Sequence, residues 1–291
     1  MKKSFNFSAE ALDQLARADA ARALAEDVGA GDLTAALIDP AAQARAQLLA
    51  RENAVLCGSA WVQAAFRQLD PQARLVWHVK DGEPCAANQV VFEVHGQARA
   101  LLTAERTALN FLQLLSAVAT KTAAYVAVVA GTRAKIVDTR KTLPGLRLAQ
   151  KYAVRSGGGT NHRVGLYDAV LIKENHIAAA GGIRQVLQHA AQIAEQADFV
   201  EIEVETLEQL AEALSAGARM VLLDNMDLAT LREAVRLNAG RAILEISGGV
   251  TLEGLRALAE TGVDRISIGT LTKDVQAIDF SMRFEAPQGV Q

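Results

Sequence analysis

Cysteine is almost missing: Cys57 and Cys85 are the two in 291 residues, and they are not closely spaced. That speaks against a disulfide framework and against a thiolate zinc site. Two buried, unreactive thiols are the expectation. Long apolar runs are missing too. The stretches that exist, such as Tyr125 to Ala130, are short and bounded by polar residues, well below the roughly 18 needed to cross a bilayer. The N-terminus, MKKSFNFSAE, begins basic but has no apolar core behind it, so a secretory signal is not expected and the cytoplasm is the default location. Strong charge of one sign is also missing. A net charge of −3 offers no general attraction to nucleic acid. Of five histidines, none stands at helical metal-ligand spacing from another, and no dinucleotide fingerprint occurs. Neither a membrane nor a nucleic-acid partner is expected, nor an organic cofactor.

What remains is a globular composition, 51% hydrophobic and 22% charged, long enough for one large barrel or two unequal domains. The first part is mixed. Residues 8–25 read as a helix capped by Ser8, with Leu12, Leu15 and Leu24 on its apolar side, ended by Gly29 and Gly31. Residues 44–56, 74–80 and 90–95 read as strands and 59–69 as a helix, an α+β layer. Residues 103–130 read as one long helix or two shorter ones. After residue 130 the rhythm changes. Short apolar runs recur at 135–138, 169–173, 199–205, 220–224, 242–247 and 265–269, with helical patterns at 182–196, 206–216, 227–238 and 251–261 between them. Strand alternating with helix predicts a parallel sheet, closed or open. The domain boundary falls near residue 116, with 117–274 as the barrel and the tail 275–291 joining the 1–116 domain.

Nearly every one of these runs ends in a polar or glycine residue: Asp138-Thr139-Arg140, Lys173, Glu203, Asp224, Ser247-Gly248-Gly249 and Gly269. In α/β barrels the catalytic groups come from the C-terminal strand ends, so a shared mouth is the reading. In FVEIEVE, side chains alternate, placing Phe199, Glu201, Glu203 and Glu205 on one face. Either that face is the solvated side of an edge strand or it points into the barrel mouth; the pattern leaves open which glutamate would reach a ligand. From Asp138 to Glu174, seven basic residues stand against three acidic ones, a local excess of four in an acidic chain. This predicts an anionic ligand. Arg147, Lys151 and Arg155 lie four apart along one helix face, which fits a solvated stripe as well as a ligand contact. Arg140, Lys141, His162, Arg163 and Lys173 sit instead at strand ends or beside the glycine-rich loop 156–160. Arginine's planar fork suits a carboxylate. Glycine turns at 247–249 and 267–270 suit a phosphate held by backbone amides.

The segment 138–177, DTRKTLPGLRLAQKYAVRSGGGTNHRVGLYDAVLIKENHI, resembles the signature region of the quinolinate phosphoribosyltransferases. The resemblance continues, in order, through EDVGAGDLT (26–34), ERTALNFLQLLSAVAT (105–120), EIEVET (201–206), LLDNM (222–226), EISGGV (245–250) and ISIGT (266–270). It implies an N-terminal α/β sandwich packed on an incomplete, open α/β barrel. The implied reaction is phosphoribosyl transfer from phosphoribosyl pyrophosphate to quinolinate with loss of CO2, in NAD biosynthesis. The resemblance also implies a homodimer, or a higher assembly built from it, whose active sites are shared. Arg106 would then reach a neighbouring subunit's site. By the same resemblance Thr139, Arg140, His162 and Arg163 belong to the acid-binding site, and Lys141 and Lys173 lie between it and the donor. Glu203 and Asp224 would meet ribose hydroxyls and the hydrated Mg2+ of the donor, with no side chain a direct metal ligand. Ser247, Gly248, Gly249, Ile268, Gly269 and Thr270 would hold the 5-phosphate. Lys141, Lys173, Glu203 and Asp224 form the catalytic set. Three rivals use the same residues: a relative taking another acid, of nicotinate type or associated with molybdenum transport; an aldolase using Lys173 as a Schiff base; and a non-catalytic anion-binding barrel.

Overall fold

The computed structural model describes residues 5–285. The chain forms two compact units. Among the described residues, one contains Asn6–Lys121, Ala149–Gly158 and Asp274–Glu285; the other contains Phe5, Thr122–Leu148 and Gly159–Lys273.

The first unit is built on an antiparallel sheet. Its strands are β1 (Gln43–Ala50), β3 (Arg74–Trp77), β5 (Val90–Gln97) and β12 (Phe280–Phe284), in the order β12-β1-β5-β3. A small pair, β2 (Ala54–Val55) with β4 (Pro84–Cys85), sits apart. Residues 44–56, expected as one strand, are two, because β1 ends at Ala50 and residues 51–53 turn the chain. The helix Ala9–Val28 starts where Ser8 accepts from the Ala11 amide at 3.3 Å. Helix Ser59–Leu69 supplies Trp61 and Phe66, which are buried with Leu48 and Phe92 from β1 and β5. Buried Asp19 is satisfied by the Trp61 indole at 2.9 Å, as a buried carboxylate requires.

One helix, Ala98–Val129, runs unbroken through residue 116. It is long and apolar enough by length and composition to cross a bilayer, yet half of its most apolar stretch is buried, as in a core helix. All but the first two residues of helix Arg147–Ser156 belong to the first unit. Its basic stripe is solvated only in part: Lys151 is fully buried and Arg147 half-buried, while exposed Arg155 holds its guanidinium 5.2 Å from the Phe7 ring centroid.

The second unit is an all-parallel sheet of β6 (Lys135–Val137), β7 (Val170–Ile172), β8 (Val200–Val204), β9 (Met220–Asp224), β10 (Ile243–Ser247) and β11 (Arg265–Ser267). Their order is β6-β11-β10-β9-β8-β7, with helices between successive strands, an open α/β barrel with β6 and β7 at its two edges. Alternation sorts the side chains. Ile136, Ile172, Ile202, Val204, Val221, Leu223, Leu244, Ile246 and Ile266 form one buried apolar cluster. The other face carries Leu171, Glu201, Glu203, Leu222, Asp224, Glu245, Ser247, Arg265 and Ser267. Strand β8 is internal, between β7 and β9, so its glutamates are not the solvated face of an edge.

Candidate active site

A cavity opens on that second face, lined by Thr139, Arg140, Lys141, His162, Arg163, Leu171, Lys173, Glu203, Leu222, Glu245, Ser247 and Ser267. Eight of the residues singled out in the sequence therefore share one wall: Thr139, Arg140, Lys141, His162, Arg163, Lys173, Glu203 and Ser247.

The loop after β6 delivers the first cations. Thr139 Oγ1 accepts from the Lys141 amide at 3.0 Å, and Thr272 Oγ1 donates to the Lys141 carbonyl at 2.8 Å. Arg147 braces the same loop, donating to Thr142 Oγ1 (3.1 Å), Arg140 O (3.4 Å) and Val164 O (3.1 Å). Buried Asp138 accepts from Asn161 Nδ2 at 2.6 Å and the His162 amide at 2.8 Å, bringing the second basic segment beside the first. Buried Asp168 takes the Val164 and Gly165 amides at 2.7 and 2.8 Å and so fixes the chain just after Arg163.

Arg140 and Arg163 repel one another. Burial, and then the charge of Arg140, lower the Arg163 pKa, with Asp168 and Glu201 opposing. Arg140 Nε is buried with no hydrogen-bond partner among the described residues. Two adjacent guanidiniums, one with an unanswered donor, form a receptor for an anion.

Across the cavity, Lys173 Nζ lies 2.6 Å from Glu203 Oε2. Asp224 is one strand further. Burial and the charge of Glu203 push its carboxyl above the usual range, while Lys173 and Lys141 act the other way. Acid and base thus alternate around the mouth. Gly248 (φ +101°) needs glycine: a Cβ there would stand 2.5 Å from Asn225 Oδ1. Gly269 lets Lys141 pass, since its Cβ would lie 3.0 Å from Lys141 Cδ.

Not every expected residue lies on the cavity wall. Asp224, Gly248, Gly249, Gly269 and Thr270 stand outside it, although Gly248 adjoins Asp224 and Gly269 adjoins Lys141. Ile268 differs: its side chain is in the apolar core and its amide donates to Val137 O at 2.9 Å, so neither faces a ligand. Arg106 is exposed on helix Ala98–Val129, in the other unit. His162 lines the cavity but has both ring nitrogens engaged, Nδ1 accepting from the Arg163 amide and Nε2 beside Glu201 Oε2, each at 2.8 Å. Its Nε2 and carboxylate oxygens of Glu201 and Glu245 lie within 4.8 Å of one another, but a hydrogen bond and Arg265 already engage this group. The sequence reading missed Glu245 and Arg265. Their signal was available in LEIS and RIS, where Glu245, Ser247, Arg265 and Ser267 alternate with the core aliphatics.

Residues 32–116 match the family model "Quinolinate phosphoribosyl transferase, N-terminal domain", and residues 118–283 match the corresponding C-terminal domain. A Bacillus subtilis protein named probable nicotinate-nucleotide pyrophosphorylase [carboxylating] is 44% identical over 257 residues, covering 88% of this chain and 89% of that one. A Nicotiana glauca protein named quinolinate phosphoribosyltransferase [decarboxylating] 1 is 40% identical over 283 residues, covering 90% and 80%. The solved structure of a nicotinate-nucleotide pyrophosphorylase from Francisella tularensis superposes with a TM-score of 0.91 at 42% identity, covering 94% of this chain and 97% of that chain.

Proposed function

The chain belongs to the quinolinate phosphoribosyltransferase family, and we propose that its cavity joins quinolinate to phosphoribosyl pyrophosphate, releasing pyrophosphate and CO2 and leaving nicotinate mononucleotide for NAD biosynthesis. The observation that carries this reading is the pair Arg140 and Arg163, two mutually repelling guanidiniums on one cavity wall. They suit the two adjacent carboxylates of a pyridine dicarboxylate.

In this reading Arg140 and Arg163, with Thr139, hold the acid so that its ring nitrogen faces the ribose C1. Lys141 and Lys173 stand between acid and donor and neutralise the departing pyrophosphate. Glu203 and Asp224 meet the ribose hydroxyls and face the positive charge that grows at C1 as the bond breaks. Magnesium enters with the donor, as part of a substrate. The acidic mouth fits a hydrated cation, since Asp224 already feels the charge of Glu203; bound there, it offsets pyrophosphate charge. Backbone amides of 247–249 and 269–270 take the 5-phosphate. Once quaternised, the ring nitrogen stabilises the carbanion left by the neighbouring carboxylate, so CO2 loss follows.

Arg106, exposed on its helix, is assigned to the site of a second subunit in a homodimer. The cytoplasm is the proposed location. The deciding assay follows CO2 per pyrophosphate with quinolinate, phosphoribosyl pyrophosphate and magnesium. One CO2 per pyrophosphate is expected. Pyrophosphate without CO2, or turnover with nicotinate but not quinolinate, would replace this reading with that of a relative taking another acid.

A further inference from the structure

Strands β9 and β10 end level with each other, Asp224 paired with Ser247. Each is followed at once by a residue in the left-handed region, Asn225 at φ +53° and Gly248 at φ +101°. Glycine adopts that conformation freely, and asparagine is among the few other residues that visit it without heavy strain. Three non-glycine residues have positive φ among the described residues: Asn88, Asn225 and Ala239. Ala239 caps helix Leu228–Asn238, and Asn88 lies in the turn that leads into β5. Asn225 is the one that stands at the end of a barrel strand, directly after a residue assigned to the donor. Backbone held in a sparsely populated conformation at such a place calls for a function.

The side chain supplies the second observation. Asn225 Nδ2 donates to Asp224 Oδ2 at 2.9 Å. Asn225 Oδ1 lies over the neighbouring turn, 2.5 Å from where a Cβ on Gly248 would stand, and Asp224 Oδ1 is 3.4 Å from the same point. The two ends of the amide are therefore sorted. Its donating nitrogen meets a carboxylate, and its oxygen meets the bare backbone of a glycine; reversed, two acceptors would face each other. One side chain thus fills the space between Asp224 and the turn 247–249. Asp224 needs such a holder. The charge of Glu203 acts on it from one side and those of Lys173 and Lys141 oppose it. A short carboxylate among charges of both signs has several orientations open to it until a hydrogen bond selects one.

We propose that Asn225 is a positioning residue for the phosphoribosyl donor. Its left-handed backbone turns the chain away directly after Asp224. Its amide fixes the Asp224 carboxylate in one orientation against the turn 247–249, so that ribose hydroxyls and 5-phosphate are met by parts already set at the right spacing. Asn225 makes and breaks no bond of the reaction; it acts through Asp224 and Gly248. The inference deepens the donor site proposed above and rests on it. It also assigns separate tasks to two parts of one residue: the backbone shapes the turn, and the amide aims the carboxylate.

Two substitutions separate those tasks, with pyrophosphate release measured against donor concentration at saturating quinolinate and magnesium. Asn225→Gly keeps the left-handed backbone and removes the amide. Its kcat/KM for phosphoribosyl pyrophosphate should fall roughly 10–100-fold, the effect of losing a hydrogen bond to a charged group. Calorimetric affinity for quinolinate should stay at the wild-type value, because Arg140 and Arg163 are untouched. Asn225→Asp keeps the shape but sets a carboxylate oxygen against Asp224, and its loss should be larger still. Wild-type donor kinetics in Asn225→Gly would show that the turn alone suffices and would overturn the proposal. So would an equal loss of quinolinate affinity, which marks a general distortion. Should Asn225→Gly not fold, Asn225→Asp carries the test alone, and wild-type donor kinetics there would overturn it too. Asp224→Asn serves as the control. Wild-type turnover in that variant would instead remove Asp224 from the donor site and sink the underlying reading, so the two failures look different.

Discussion

A single methyl group decides whether the turn after β10 can form. Gly248 sits at φ +101° with Asn225 Oδ1 where a Cβ would reach 2.5 Å, so Gly248→Ala must strain the backbone and displace Asn225, which bonds Asp224 at 2.9 Å. The variant should lose about 1–3 kcal/mol of stability, read from urea denaturation, along with affinity for the phosphoribosyl donor. An unchanged denaturation midpoint would contradict the strain. The same scale shows how legible the site was. Strand alternation correctly put Glu201 and Glu203 on one face, and the structure separates them by depth: Glu201 is fully buried beside His162, while Glu203 meets Lys173 at the mouth. Depth is a three-dimensional property that periodicity along one strand does not carry. Glu245 was overlooked because one glutamate between aliphatics reads as punctuation until its neighbours Leu244 and Ile246 are seen packing behind it.

Elements come next. The six parallel strands and most intervening helices were visible as alternating runs, because burial against helices demands aliphatics at every second strand position. Strand β12 was not: its partner β1 lies more than two hundred residues away, a pairing no local pattern announces. The helix Arg147–Ser156 was visible, but its three basic residues looked alike. In the structure Arg147 ties the loop 140–147 to Val164, Lys151 is buried and Arg155 meets Phe7. Arg147→Ala should therefore loosen the loop that carries Arg140 and Lys141. Amide hydrogen exchange at 141–146 should quicken and the quinolinate KM should rise several-fold, with chemistry at saturation less affected. Unaltered exchange there would show that Arg147 is not the brace.

For the whole molecule, the buried acids set a pH dependence. Burial pushes the Glu201 and Glu245 carboxyls up to about 7 from the ordinary glutamate value of 4.5, so the native chain holds protons that the unfolded chain has released. Their contribution is fully present below about 4.5 and is lost as pH rises through about 7. Between pH 5.5 and 8 the urea midpoint should fall, and less so in Glu245→Gln; a fall of the same size in that variant would remove Glu245 as its source. Assembly is also testable. Arg106→Ala and Lys141→Ala subunits, inactive alone, should regain activity on mixing if each site draws on two chains, and verified subunit exchange without recovery would leave Arg106 outside the site. All of the chemistry depends on cations from separate stretches meeting in one cavity and holding a dicarboxylate. Calorimetric titration with quinolinate tests that directly. Arg140→Ala and Arg163→Ala should each weaken binding by about 1.5–3 kcal/mol, and wild-type affinity in both would contradict the account.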